Sequence, residues 1–334
     1  MRAWWVDRPG PVANHPLVLG DRSSPAPGAD EILLQVNVCG ICRTDLHLAE
    51  GDLAPRHPRV VPGHEAVGFV VEAAANSEYR TGDRVGVAWL GGVCGECAYC
   101  LRGDENLCSS PVFTGWDKDG GYAEQLTVSQ SFAYPIPPVF TDEQAAPLLC
   151  SGIIGYRALK RASVPPGGRL GIYGFGSSAH LTAQLAMFQG TRVYVMTRSQ
   201  EARSLARDLG AVFVGDAYDV PPEPLDAAIL FAPVGDLVPV ALRALDRGGT
   251  LAIAGIHLSA IPALDYASEL FYERQIRSVT ANTRADGREF LALAARIPLA
   301  PTVTVYPFDA ADRALADLAA DRVTGSAVLK IGPS

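Results

Sequence analysis

Hydrophobic and polar positions set up two rhythms along the chain. In the N-terminal part, short apolar runs bounded by Gly and Pro predict strands over 31–38, 66–71 and 84–88. The loops between them carry Cys42, His64 and a later group of cysteines, which suits a scaffold that presents ligating side chains from its edges. From about Gly167 the rhythm changes to short apolar strands alternating with helical segments, the pattern of βαβ units in a parallel sheet. Strands are predicted over 170–173, 192–196, 227–230 and 250–254, with one helix over 179–189 and a second ending at Leu209-Gly210. After about residue 295 the segments 303–306 and 327–330 read as strands again, with a helix between them, so the C-terminal part returns to the first rhythm.

The length of 334 residues fits two domains at roughly 150 residues each, with a core in both. Hydrophobic residues at 48% and charged residues at 19% exclude disorder and fibrous repeats. A net charge of -8 argues against a nucleic-acid surface, which needs clustered Lys and Arg. The first ten residues, Met1 to Gly10, lack the apolar run of a secretory signal, and no stretch approaches the roughly 20 apolar residues of a membrane span. A cytoplasmic protein without a membrane partner is expected. The seven cysteines are odd in number and clustered, which in a reducing compartment points to metal ligation before disulfides.

Cys94-Gly95-Glu96-Cys97-Ala98-Tyr99-Cys100 followed by Cys108 places four thiolates on one short loop, enough to close a tetrahedral zinc site. Such a site has no open position, so its metal stabilises the loop. Cys42, His64 and Cys150 make the ligand set of a catalytic zinc, with a fourth position left for water or substrate. A lone His or Cys is more often a packed residue, but their joint occurrence beside a four-cysteine loop reverses that prior. Cys39 is left over as a buried free thiol. Thr44 and His47 stand at a spacing where a hydroxyl and an imidazole pass a proton between a buried site and water.

Gly174-Phe175-Gly176-Ser177-Ser178-Ala179 follows a predicted strand and opens a helix. That is the context in which such a glycine pattern lets a pyrophosphate approach the backbone at a helix N-terminus. The next strand ends Met196-Thr197-Arg198-Ser199, without the carboxylate that bonds an NAD ribose. Arg198 instead offers a fork of donors suited to a 2′-phosphate, with Thr197 and Ser199 beside it, so NADP(H) is favoured over NAD(H).

These motifs together resemble the zinc-containing alcohol dehydrogenases of the medium-chain dehydrogenase/reductase superfamily over nearly the whole chain. The resemblance rests on Cys-Gly-Ile-Cys-Arg-Thr-Asp-Leu-His at 39–47, Pro-Gly-His-Glu at 62–65, the four-cysteine loop, Gly-Gly-Tyr-Ala-Glu at 120–124 and Ala-Ala-Pro-Leu-Leu-Cys-Ser-Gly at 145–152. It implies that Cys42, rather than Cys39, ligates the metal, that Thr44 bonds the substrate oxygen and starts a proton relay to His47, and that Asp45 orients His64. Arg43 would face the pyrophosphate, and Glu65 would lie behind the zinc. It further implies an α/β fold: a GroES-like β-rich catalytic domain of residues 1–152 and 296–334, and a Rossmann doubly wound domain of 153–295, with the active site in the cleft between them. Two zinc ions per chain and a homodimer or homotetramer belong to the same expectation.

Several positions depart from the family pattern. Thr197 replaces an acidic residue, Ala179 replaces the third glycine, and Ile154-Gly155 stands where relatives carry threonine or valine near the nicotinamide. Leu53 occupies a position often held by a pocket-narrowing aromatic, which leaves room for a bulkier substrate walled by Trp89 and Trp116. The expected reaction is hydride transfer between NADP(H) and a primary alcohol or aldehyde, bulky or aromatic. A polyol or amino-alcohol dehydrogenase and a non-catalytic NADP-sensing protein are the competing readings.

Overall fold

The computed structural model describes residues 1–297 and 299–332. It divides into two compact units, Met1–Cys150 with Ala281–Ala295 and Ala300–Ser334, and Ser151–Thr280 with Arg296–Leu299.

The first unit begins with an antiparallel pair, β1 (Arg2–Val6) and β2 (Leu17–Asp21). The long strand β3 (Glu31–Ile41) leads directly into α1 (Arg43–Glu50), and β4 (Ala66–Ala73), β5 (Arg84–Val87), β6 (Leu90–Gly92), β7 (Val112–Phe113), β8 (Gln125–Ser129) and β9 (Ala133–Pro135) follow. Two short helices, α2 (Ala98–Leu101) and α3 (Asp142–Ala145), interrupt this β-rich run. Burial along β8 alternates residue by residue, as a strand with one covered face requires. β3 runs past the predicted end at residue 38 because its last residues find a second partner. One of its edges pairs with β8 over Glu31 to Gln35 and then with the C-terminal strand over Val38 to Ile41.

The second unit is a parallel sheet of β10 (Arg169–Tyr173), β11 (Arg192–Met196), β12 (Phe213–Gly215), β13 (Leu225–Leu230), β14 (Leu245–Ile253) and β15 (Gln275–Ser278). Helices α4 (Ser151–Ala162), α5 (Ser177–Phe188), α6 (Gln200–Asp208) and α7 (Leu237–Ala244) belong to it. Its order among the described residues is β12-β11-β10-β13-β14-β15, the doubly wound order in which the first strand sits at the reversal point and ligands gather at strand C-termini. β10 and β13 are buried almost throughout, as strands covered on both faces must be. β14 starts five residues before the predicted 250. Leu245 already pairs with Leu225, and a register shift follows between Leu225 and Ala227.

The chain then returns to the first unit with α8 (Arg284–Ala294), β16 (Val303–Pro307), α9 (Ala311–Ala319) and β17 (Ser326–Lys330). The larger sheet reads β16-β17-β3-β4-β5-β9, with β8 also on β3. The division differs from the expected 153–295 at its C-terminal side, because α8 packs with the first unit. Arg284 forms a forked ion pair with Glu105 (Nη2 to Oε2, 2.7 Å), Asn282 donates to the hydroxyl of Tyr134 at 3.4 Å, and Phe290 is buried. Among the described residues no helix is long and apolar enough to cross a membrane.

Candidate active site

The β3-to-α1 junction builds the first half of the site. Cys42 is the N-cap of α1: its Sγ accepts the N–H of Thr44 at 3.3 Å, and the Asp45 carboxylate returns the bond by accepting the N–H of Cys42 at 2.9 Å. This reciprocal cap satisfies helix-end donors and directs amide hydrogens at a thiol. The other Asp45 oxygen accepts the N–H of Gly63 at 3.0 Å and lies 3.5 Å from Nδ1 of His64. Asp45 therefore ties the Pro62-Gly63-His64 turn to α1 and fixes the imidazole, whose Nε2 stands 3.3 Å from Cys42 Sγ.

Ligand atoms of Cys42, His64, Glu65 and Cys150 all lie within 4.8 Å of one another. His64, Glu65 and Asp45 are each no more than 2% exposed. A hydrogen bond from Cys150 is the largest influence on Cys42 and, with His64 and against the cost of burial, holds its thiol well below the usual range. Burial opposes the charged form of His64, but the Cys42 thiolate and Asp45 outweigh it and push the imidazole well up. Glu65 is driven well up, chiefly by burial. Its Oε1 is buried without a hydrogen-bond partner, an expensive state for a carboxylate unless a cation or donor meets it. Thiol, imidazole and carboxylate donors converging in this way suit zinc. Cys39 lies outside the cluster, fully buried between Gly63 and Gly121, with its thiol raised foremost by burial.

The second cluster is Cys94, Cys97, Cys100 and Cys108. Sulfur separations are 3.5 Å for Cys97–Cys100 and for Cys94–Cys108, and 4.0 Å for Cys94–Cys100. The N–H of Cys100 leads the influences that pull the Cys97 thiol down to about 5. These spacings converge four sulfurs on one centre, as a closed tetrahedral site requires.

Trp89 and Trp116 belong to one stack of rings. Phe113, which reads as an ordinary strand residue in the sequence, lies between them, with centroids 4.3 Å from Trp89 and 5.8 Å from Trp116 and interplanar angles of 26° and 27°. The stack starts 6.2 Å from the His64 ring and ends beneath the guanidinium of Arg56, 4.4 Å from Trp116. Trp116 Nε1 donates to the carbonyl of Ala54 at 2.9 Å, and Leu53 packs against the same core. Thr44 is half-buried at the start of α1. His47, one turn later, has Nδ1 3.0 Å from Asp52. Arg43 is exposed and pairs with Asp321, a partner that its implied pyrophosphate role does not include.

In the second unit the turn after β10 has the form the fingerprint predicts. Gly174 has φ +85°, and a Cβ there would stand 2.8 Å from the backbone nitrogen of Ala232, so glycine is required. Phe175 is buried, while Gly176 is exposed and a Cβ on it would meet nothing within 4 Å. The space in front of the first turn of α5 is therefore open, as a glycine turn that admits a phosphate requires. Ser177 donates to Ser151 at 2.6 Å, and the carbonyl of Ser178 accepts from Thr182 at 2.7 Å. At the end of β11, Thr197 is buried, with its N–H donating to Gly215 at 3.1 Å, and Arg198 and Ser199 are exposed. Sequence reasoning passed over Arg203, which donates to the Arg198 carbonyl at 2.7 Å and pairs with Asp216 at 2.9 Å.

A GroES-like β unit with a thiol–imidazole cluster and a Rossmann-type doubly wound unit define the two-domain architecture of an oxidoreductase. The chain belongs to the zinc-type medium-chain alcohol dehydrogenases. Residues 28–138 match the family model of the alcohol dehydrogenase GroES-like domain. The chain is 58% identical over 337 residues to the probable alcohol dehydrogenase AdhA of Mycobacterium tuberculosis, covering 99% of this chain and 97% of that protein. It is similar to the cinnamyl alcohol dehydrogenase of Sorghum bicolor, with TM-score 0.90 and 26% identity over 100% of this chain and 98% of that one. It is also similar to a Sinorhizobium meliloti 1021 protein assigned to the zinc-binding dehydrogenases and bound to NADP, with TM-score 0.86 and 27% identity over 98% of both chains.

Proposed function

We propose that this alcohol dehydrogenase is zinc-dependent and transfers a hydride between NADP(H) and a bulky or aromatic primary alcohol or aldehyde. The observation that carries the reading is the convergence of Cys42, His64 and Cys150 beside the ring stack of Trp89, Phe113 and Trp116. A planar aryl group finds stacking partners along that wall.

Cys42, His64 and Cys150 would hold a zinc ion, which would supply Lewis acidity toward the substrate oxygen, and Asp45 keeps the His64 ring in its orientation. Glu65 brings a buried carboxylate to the same cluster. The Thr44 hydroxyl bonds the substrate oxygen and takes or gives its proton, and His47, held through Nδ1 by Asp52, exchanges that proton with water. Gly174 to Ser178 cradle the pyrophosphate, and Thr197, Arg198 and Ser199 face the adenosine ribose, where Arg198 reads a 2′-phosphate. The four cysteines of the loop hold a second zinc that stabilises the fold. The similarity to an NADP-bound dehydrogenase and to a cinnamyl alcohol dehydrogenase supports the cofactor and substrate choices. A cytoplasmic homodimer or homotetramer completes the proposal, checked by sedimentation.

The test is the initial rate of reduction of a bulky aromatic aldehyde by zinc-replete protein, with NADPH and NADH at matched concentrations. A preference of roughly tenfold or more for NADPH, about 1.4 kcal/mol, matches one specific phosphate contact. Turnover favouring NADH overturns the cofactor choice. Turnover confined to hydroxyl-rich substrates overturns the substrate choice in favour of a polyol dehydrogenase.

A further inference from the structure

The tip that follows β11 carries carboxylates as well as guanidinium groups, and one of them holds the hydroxyl that a phosphate needs. Ser199 caps α6 by accepting the N–H of Ala202 at 3.3 Å, and the same hydroxyl donates to Oε2 of Glu201 at 2.6 Å. A hydroxyl has a single proton to donate, and that of Ser199 is committed to Glu201. The Glu201 side chain is exposed, so it shares the solvent-facing tip with Arg198 and Ser199.

Behind the tip, Arg203 is occupied in the same way. It donates from Nη2 to the Arg198 carbonyl at 2.7 Å and to Asp216 at 2.9 Å, and its Nε is buried without a partner. Asp219 accepts the N–H of Asp216 at 2.7 Å and adds a further carboxylate. The tip therefore sets Arg198 and Arg203 against Glu201, Asp216 and Asp219, two positive charges against three negative. A 2′-phosphate arriving at this tip is attracted by a guanidinium and repelled by a carboxylate. A ribose 2′-hydroxyl, by contrast, finds in Glu201 an acceptor, the role a carboxylate at the end of the strand plays in NAD sites.

We propose that Glu201 sets the ratio between the two dinucleotides: it withholds the Ser199 hydroxyl from a 2′-phosphate and accepts from a 2′-hydroxyl, so the preference for NADPH is smaller than Arg198 alone would give. The inference rests on the reading of Arg198 as the phosphate contact. Dissociation constants of NADPH and NADH, measured by nucleotide fluorescence on the full-length zinc-loaded protein, test it in wild type, Glu201→Gln, Glu201→Ala and Arg198→Ala. Glu201→Gln removes the charge and keeps an acceptor for Ser199, whereas Glu201→Ala also frees that hydroxyl. Glu201→Gln is expected to tighten NADPH several-fold, and Glu201→Ala to tighten it about tenfold, equivalent to about 1.4 kcal/mol, and to weaken NADH several-fold. Arg198→Ala is expected to weaken NADPH at least tenfold and leave NADH within twofold. If both Glu201 variants keep the wild-type ratio of the two constants while Arg198→Ala lowers NADPH affinity, the role of Glu201 is refuted and the NADP reading stands. If Arg198→Ala leaves both constants unchanged, the NADP reading falls and this inference falls with it.

Discussion

Replacing Gly40 by alanine should disturb the cluster of Cys42, His64, Glu65 and Cys150. Gly40 lies in β3 next to the buried Cys39, and a Cβ there would stand 2.0 Å from Oε2 of Glu65, 2.7 Å from its Cδ and 2.8 Å from its Cβ. The backbone is not left-handed at this position, so space alone decides. The obstructing atoms belong to a side chain, but Glu65 is 2% exposed and shares its cluster with Cys42, His64 and Cys150. Its carboxylate can retreat only by disturbing those ligand atoms. Overpacking of this kind costs about 1–3 kcal/mol, which lowers Tm by roughly 2–12 °C at the size of the first unit. The assay pairs thermal melting with zinc content of the purified protein, in Gly40→Ala, Glu65→Ala and the double variant. Gly40→Ala should melt lower and lose part of its zinc. In the double variant the two carboxylate contacts are gone and only the Cβ of residue 65, at 2.8 Å, still crowds the new methyl group, so part of the cost should be relieved and the two substitutions should couple by about 1 kcal/mol in melting stability. Wild-type melting and zinc content in Gly40→Ala would refute the reasoning.

Gly176→Ala should have the opposite profile. A Cβ there meets nothing within 4 Å and φ is -104°, so melting should stay within about 1 °C while NADPH affinity, measured by fluorescence titration, falls roughly tenfold because the methyl group occupies the approach to the turn. The Glu105–Arg284 pair should make stability depend on pH. Burial opposes ionisation of Glu105, but the Arg284 guanidinium and N–H outweigh it and hold the carboxyl below the usual range. A folded value below the unfolded one, about 4.3, means that the pair stabilises above that pH and that its contribution disappears as pH falls through the folded value. Glu105→Gln should therefore melt lower than wild type at pH 7, with the gap closing below about pH 4 in melting curves across that range.

Much of the site was legible because its parts are local. Cys42, Thr44 and Asp45 share one helix start, the four loop cysteines sit within 15 residues, and the glycine turn connects an adjacent strand and helix. Strands 192–196 and 303–306 were readable from apolar content alone and reappear as β11 and β16. What the sequence hid depends on partners far along the chain. α8 packs with the first unit through Glu105 and Tyr134, far earlier in the chain, which meet Arg284 and Gly287. Phe113 joins the ring stack through the pairing of β6 with β7, and no local pattern marks it. Arg203, which donates to the Arg198 carbonyl, meets Asp216 only because β12 lies beside β11, and no local pattern in the sequence marks that pair. Arg43 likewise meets Asp321 only through the fold.

The most direct test of the metal assignment is the zinc content per chain of wild type, Cys42→Ala and Cys39→Ala, measured by atomic emission alongside turnover of an aromatic aldehyde. The two thiols are three residues apart, yet only Cys42 lies in the cluster with His64, Glu65 and Cys150. About two zinc ions per chain are expected in wild type and in Cys39→Ala, both active, and about one in Cys42→Ala with turnover lost, following the ligand arithmetic of one open and one closed site. A Cys42→Ala protein that keeps both its zinc and its activity would contradict the account.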